Sequence, residues 1–185
     1  MVNNPVISAM HIITDCSDEY TINDIPTLIK QLEDPDGFIR MHARHVLICI
    51  GKSALPELIN ALSGPNSQLR WQIIKVLEGI QDTSAARALV ECLKDENAGV
   101  RWAASDALIS LHQAGIPPLL EALMRDIDSI WLRQGAHHIL HVIKDAGRLH
   151  QAEEKVFEAL EDVEPTAAVP WAAEKALEAI RHKKT

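Results

Sequence analysis

Three tryptophans and a cluster of three histidines are the residues of this chain whose type and spacing suit chemistry. His137 and His141 stand one helical turn apart, with His138 beside them, so two imidazoles could face one metal ion. Such a site needs further ligands from elsewhere in the fold. The plainer reading of these histidines is a polar binding surface. Trp102 and Asp106 are likewise one turn apart. Trp71, Trp102 and Trp171 are candidates for aromatic anchors, since exposed tryptophan is enriched where binding energy concentrates. No Gly-rich phosphate loop, no G-x-S-x-G and no H-E-x-x-H occurs. The chemistry on offer is recognition, and we expect no catalytic residue, no cofactor and no resident metal.

The elements that must position these residues are read from a repeat. Arg40, Arg70, Arg101 and Arg133 recur at nearly equal intervals, and an apolar pattern recurs around each. One leucine repeats as Leu32, Leu62, Leu93, Leu123 and Leu160, and a second as Leu47, Leu77, Leu108, Leu140 and Leu177. Periods of this size mark a solenoid whose units bury their apolar faces against one another. Within residues 85–115, Leu89 and Leu93 lie on one helix face. A polar turn follows at Lys94-Asp95-Glu96-Asn97. Val100, Ala103, Ala104, Ala107, Leu108 and Leu111 then keep the spacing of a second amphipathic helix. Breakers such as Asp34-Pro35-Asp36-Gly37 and Gly64-Pro65-Asn66-Ser67 separate the helices of other units. Pro26, Pro56 and Pro117 fall where first helices begin, a place where a missing N–H costs little.

Each recurring arginine opens a second helix, where the macrodipole disfavours a cation. The expectation is an acidic partner from Asp34/Asp36, Asp95/Glu96 or Asp126/Asp128, stacked into an Arg–Asp ladder. Residues 144–153 form a longer connection, and Pro170 stands where a fifth arginine would fall, which predicts an irregular last unit. Val6, Ile7, Met10, Ile12 and Ile13 predict a capping helix over residues 4–14. The expected organisation is a cap segment at 1–24 and one solenoid at 25–185.

Bulk properties narrow the partners. The composition is 47% hydrophobic and 24% charged, which suits an ordered domain, and aromatics at 4% argue against a β architecture. A net charge of −8 disfavours nucleic acid, whose affinity rests on clustered Lys and Arg. No apolar run approaches the roughly 18 residues that span a bilayer, and no secretory signal is read at the N-terminus. Cys16, Cys49 and Cys92 show no pairing pattern. Cys49 and Cys92 occupy slots held by small residues in other units, which fits a reduced, cytoplasmic setting.

The run Val100-Arg101-Trp102-Ala103-Ala104-Ser105-Asp106-Ala107-Leu108, with Leu69-Arg70, Ile39-Arg40 and Leu132-Arg133 as weaker copies, resembles the HEAT repeat family. The likeness is to its short-repeat subgroup, also found in phycobilisome lyase subunits, and covers about residues 25–180. It implies an all-α, right-handed α-α superhelix of about five helical hairpins. The family holds scaffolds, chaperones, lyases and a few enzymes, so fold alone does not give function. A bilin lyase or chaperone and a His-ligated metal-dependent enzyme are its alternatives to a scaffold. The HEAT-like di-metal hydroxylases carry repeated His-Glu dipeptides, and this chain has none. The pairing of Trp102 with Asp106 resembles HEAT-like alkylpurine DNA glycosylases, but the surrounding acidic residues suit no duplex.

In a stack of hairpins the second helices are expected to line the concave face. Counting from the apolar residue that opens each, offsets +2, +5, +6 and +9 should be exposed. Trp71, Trp102 and Trp171 then share one row, and Asp106, Glu78, His137, His138 and His141 set polar specificity beside it. Trp131 aligns with Phe38 near the turn and reads as packing. The function expected is a non-enzymatic scaffold that binds a protein or peptide.

Overall fold

The computed structural model describes residues 21–182; the cap expected at 4–14 lies outside the described residues. The chain is all-α among those residues. Its helices are α1 (Ile25–Gln31), α2 (Gly37–Ile50), α3 (Leu55–Ala61), α4 (Ser67–Ile80), α5 (Ala86–Cys92), α6 (Ala98–Ser110), α7 (Ile116–Arg125), α8 (Ile130–Asp145), α9 (Gln151–Leu160) and α10 (Pro165–His182). Taken in pairs they are the five hairpins of the expected helical solenoid class. The chain divides into two compact units, Met1–Ile80 and Gln81–Thr185.

The repeated apolar residues are the core. Leu32, Leu62, Leu93 and Leu123 are buried from the first helices, and Leu47, Leu77, Leu108, Leu140 and Leu177 from the second. Truncating a buried leucine costs about 2–5 kcal/mol; the first four repeats each contribute at least two such residues, whereas Leu160 of the fifth is half-buried. Pro26, Pro56 and Pro117 do sit in the first turns of α1, α3 and α7. Second helices are capped by the turn residues: Asp36 accepts from Phe38 N–H, Asn66 from Gln68 N–H, Asn97 from Gly99 N–H and Ser129 from Leu132 N–H. Four second helices end on a residue with positive φ, Gly51, Gln81, His112 and Gly147. This left-handed step turns the chain into the next repeat.

The repeating arginine binds backbone oxygens of its own hairpin. Each guanidinium donates from Nη1 to the main-chain carbonyl six residues earlier. Arg40 reaches Asp34 O at 2.6 Å, Arg70 Gly64 O at 2.8 Å, Arg101 Asp95 O at 2.7 Å and Arg133 Ile127 O at 2.6 Å. Arg40 and Arg101 also reach the following carbonyl. The partners are backbone oxygens of the turn, two or three residues past the end of the first helix, where no helical N–H supplies a donor. Each regular hairpin thus carries its own clamp, and Arg40, Arg101 and Arg133 take backbone oxygens where carboxylates were expected. Carboxylates serve other ends: Asp34 and Asp95 accept turn N–H groups from Asp36 and Asn97.

Polar and charged side chains also join neighbouring repeats within each unit. In the first unit Asn66 Nδ2 donates to Glu33 Oε1 at 2.7 Å. In the second, Lys94 bridges Glu91 and Asp126, while Arg125 binds both carboxylates. Hydrogen bonds from Arg125 and then Lys94 hold the Asp126 carboxyl down at about 2. Burial acts to raise Glu91, but its bonds from Lys94 and Arg125 outweigh that and keep it low.

Within the second unit the last hairpin breaks the pattern. First helix α5 packs on first helix α7, and second helix α6 on second helix α8. Then the order reverses, with α9 on α8 and α10 on α7. The long connection makes this possible: Gln113 Nε2 donates to Arg148 O, and Arg148 Nη1 meets His112 Nδ1, fixing the chain beside the preceding inter-repeat turn. The irregular last unit was expected; the exchange of its helices between rows was not. Cys49 is disulfide-bonded, which corrects the expectation of unpaired cysteines, and Cys92 is buried in its small-residue slot.

Two outcomes test this architecture. Arg70 is buried, so Arg70→Met leaves Gly64 O without its guanidinium and should lower stability by about 1–3 kcal/mol, read by urea denaturation. Asp126 titrates lower folded than unfolded, so the stability it adds is present above about pH 4 and is lost as pH falls toward 2. Asp126→Asn should therefore lower the melting temperature slightly at neutral pH and leave it unchanged near pH 2.

Candidate functional site

The second helices α6 and α8 of neighbouring repeats form a cleft in the second unit. Ala98, Arg101, Trp102 and Ser105 line it from α6, and Trp131, Gln134, Gly135 and His138 from α8. Its volume is about 240 Å³, the size of one or two side chains. Small residues open the space. Ala98 and Gly135 contribute no bulk, and a Cβ on Gly135 would come within 3.0 Å of the Leu93 side chain. Glycine thus lets α8 settle closely on the end of α5.

The walls are aromatic. Trp102 is 58% exposed and Trp131 42% exposed, so each indole leaves much of its apolar area in contact with water. Trp102 meets the His138 ring edge-on, with centroids 4.6 Å apart and planes at 79°. Across the cleft, the Arg101 guanidinium lies over the Trp131 ring at 3.8 Å from its centroid, a cation–π contact. Ser105 is buried, and its Oγ donates back to Arg101 O.

The histidine cluster separates into two groups. His138 turns toward Trp102, while His137 and His141 turn toward the last hairpin. His137 stacks on Phe157 at 4.9 Å and His141 meets its edge at 5.9 Å. Glu161 receives His137 Nε2 at 3.3 Å, and Asp145 pairs with His141 Nδ1 at 3.2 Å. Lys144 covers the Phe157 ring as well. Among the described residues no group of three metal-ligating side chains is gathered. These two histidines are the seat of α9.

The remaining expected residues are distributed as follows. Trp71 and Glu78 lie on α4 in the first unit; Trp71 is half-buried, and Glu78 pairs with Lys75. Asp106 is exposed on α6, one turn beyond Trp102, and does not line the cleft. Trp171 is 62% exposed on α10. Because α10 packs on α7, Trp171 belongs to the row of first helices and does not extend the surface bearing Trp102. Offset +5 is not uniformly exposed either, since Ile74 and Ser105 are buried.

Residues 55–141 match the family model for HEAT repeats. That stretch runs from α3 to the last turns of α8, so both walls of the cleft lie within the matched residues. Among solved structures, two engineered proteins are similar. One is 18% identical, covering 95% of this chain and 90% of its own, with a TM-score of 0.39; the other is 19% identical, covering 98% and 95%, with a TM-score of 0.37. No curated protein matches the chain.

Sequence reasoning missed Trp131 and Arg101 as parts of the site. The available signal was a large aromatic one place before a core leucine, in the repeat following the one that carries Trp102. The reversed seating of α9 has its own test. Phe157 is buried, so Phe157→Ala should lower stability by about 3–5 kcal/mol and shift the ring resonances of His137 and His141 in NMR spectra. Unmoved histidine signals would contradict the packing of α9 on α8.

Proposed function

We infer that the chain is a non-enzymatic scaffold whose second unit binds a protein or peptide segment across α6 and α8. The observation that carries this reading is the pair of exposed indoles, Trp102 and Trp131, facing one cleft of side-chain size. Such rings gain most when a partner removes them from water, and aromatic anchors in pockets dominate interface energies. HEAT repeats are a scaffold suited to this, since stacked hairpins present a continuous row of helices. Asp106 flanks the cleft as a polar rim group. Trp71 and Glu78 on α4, and Trp171 on α10, belong to the reading as further contact points.

The partner is a polypeptide rather than nucleic acid: the chain carries a net charge of −8, and phosphate contacts need a basic surface. No helix among the described residues is long and apolar enough to cross a membrane. A cytoplasmic setting suits the buried Cys92 thiol, whereas the Cys49 disulfide speaks for an oxidising one.

The alternatives rank behind. A bilin lyase or chaperone rests on likeness to the phycobilisome lyase subgroup alone. A His-ligated metal enzyme has against it the division of the histidines between Trp102 and Phe157.

The reading is tested at Trp102. Because this side chain is exposed, Trp102→Ala should leave the melting temperature nearly unchanged and weaken partner binding by at least about 2 kcal/mol in calorimetric titration. Equal affinity of variant and parent would remove the cleft from the interface.

A further inference from the structure

The polar equipment of the cleft specifies the charge of what enters it. Arg101 is held from two directions. Its Nη1 donates to Asp95 O and Glu96 O, and its guanidinium plane rests on Trp131. Nε and Nη2 have no partner among the described residues. A guanidinium fixed by one edge and one face, with its other donors unspent, is a preorganised fork for a carboxylate. Little conformational entropy is then lost when the ligand arrives.

The rest of the lining agrees. No Asp or Glu borders the cleft. Gln134 can donate from its amide, and both indoles carry an N–H that only donates. His138, neutral or protonated, can also donate. A cationic side chain would enter a site where Arg101 already occupies the Trp131 face and no acid answers it. An acidic side chain would find donors and a fixed positive charge between apolar walls.

We propose that this cleft is a carboxylate-recognition subsite, which takes an Asp or Glu of a partner peptide with an apolar neighbour packed between Trp102 and Trp131. The proposal rests on the scaffold reading above and adds the chemical class of its partner. The chain's negative charge does not oppose it at contact range, because charges beyond about 8–10 Å are screened at physiological salt, whereas Arg101 acts at hydrogen-bond distance.

The test uses the full chain and three pools of terminally blocked heptapeptides, with a central Glu, Gln or Lys and apolar residues randomised on both sides. Binding is followed by tryptophan fluorescence and calorimetry. The Glu pool should bind about tenfold or more tightly than the Gln pool, a margin of about 1.4 kcal/mol, and the Lys pool more weakly than both. Arg101 also closes its hairpin, so a second variant supports the assignment. Trp131→Leu keeps both carbonyl bonds of Arg101 but removes its stacking surface, and should erase most of the Glu preference in a folded protein. Equal binding of the Glu and Gln pools, or preference for Lys, overturns the proposal while leaving the scaffold reading intact if Trp102→Ala still weakens that binding. Absence of binding by all three pools overturns both. Tighter binding of phenylacetate than of the Glu pool would overturn the peptide assignment in favour of a small-molecule site.

Discussion

A guanidinium bonded to the carbonyls of its own turn sets the geometry of every regular hairpin in this protein. The turn that follows the first helix carries carbonyls that no helix supplies with a donor. The arginine near the start of the second helix reaches back over six residues and supplies the donor. This fixes the length of the turn and the rotation of the second helix about its axis. Those two quantities decide which side chains meet the neighbouring repeat. The fifth hairpin has Pro170 in place of the arginine and a longer approach, and it is the hairpin whose helices exchange rows.

The candidate site grows out of the same clamp. Arg101 does what Arg40, Arg70 and Arg133 do, and its position is set by structural need. The following repeat places Trp131 against its plane, and the next residue along α6 is Trp102. In the first unit, the residue of repeat two that corresponds to Trp131 is Gln68, so Arg40 has no such ring from its neighbour. A conformational constraint present in all four regular repeats is thereby presented to an open cleft in one. Since the carbonyl bonds and the stacking hold the guanidinium before any ligand arrives, binding and folding draw on the same interactions.

His137 and His141 show the converse. Their spacing suited a shared ligand, and the protein uses it to seat Phe157. Imidazoles with carboxylate partners Glu161 and Asp145 cover an aromatic edge that would otherwise face water. His138, adjacent in sequence, points a hundred degrees around the helix and joins Trp102 instead. Neighbouring histidines on one helix therefore serve two different surfaces.

The repeat period, the hairpin form of each unit, the buried leucines and the turn breakers were all legible in the sequence. Each follows from local periodicity, in which a side chain's burial depends on its place within its own helix. Trp102 and His138 could be named as surface residues for the same reason. What sequence spacing could not supply were contacts set by the relative placement of helices. The carbonyl partners of the arginines, the cover of Trp131 over Arg101 and the separation of Trp171 from the Trp102 row belong to that class. Alignment assumes that every repeat stacks like the last. The chain's own connection at 144–153 breaks that assumption, and only packing in three dimensions decides which helix lands on which row.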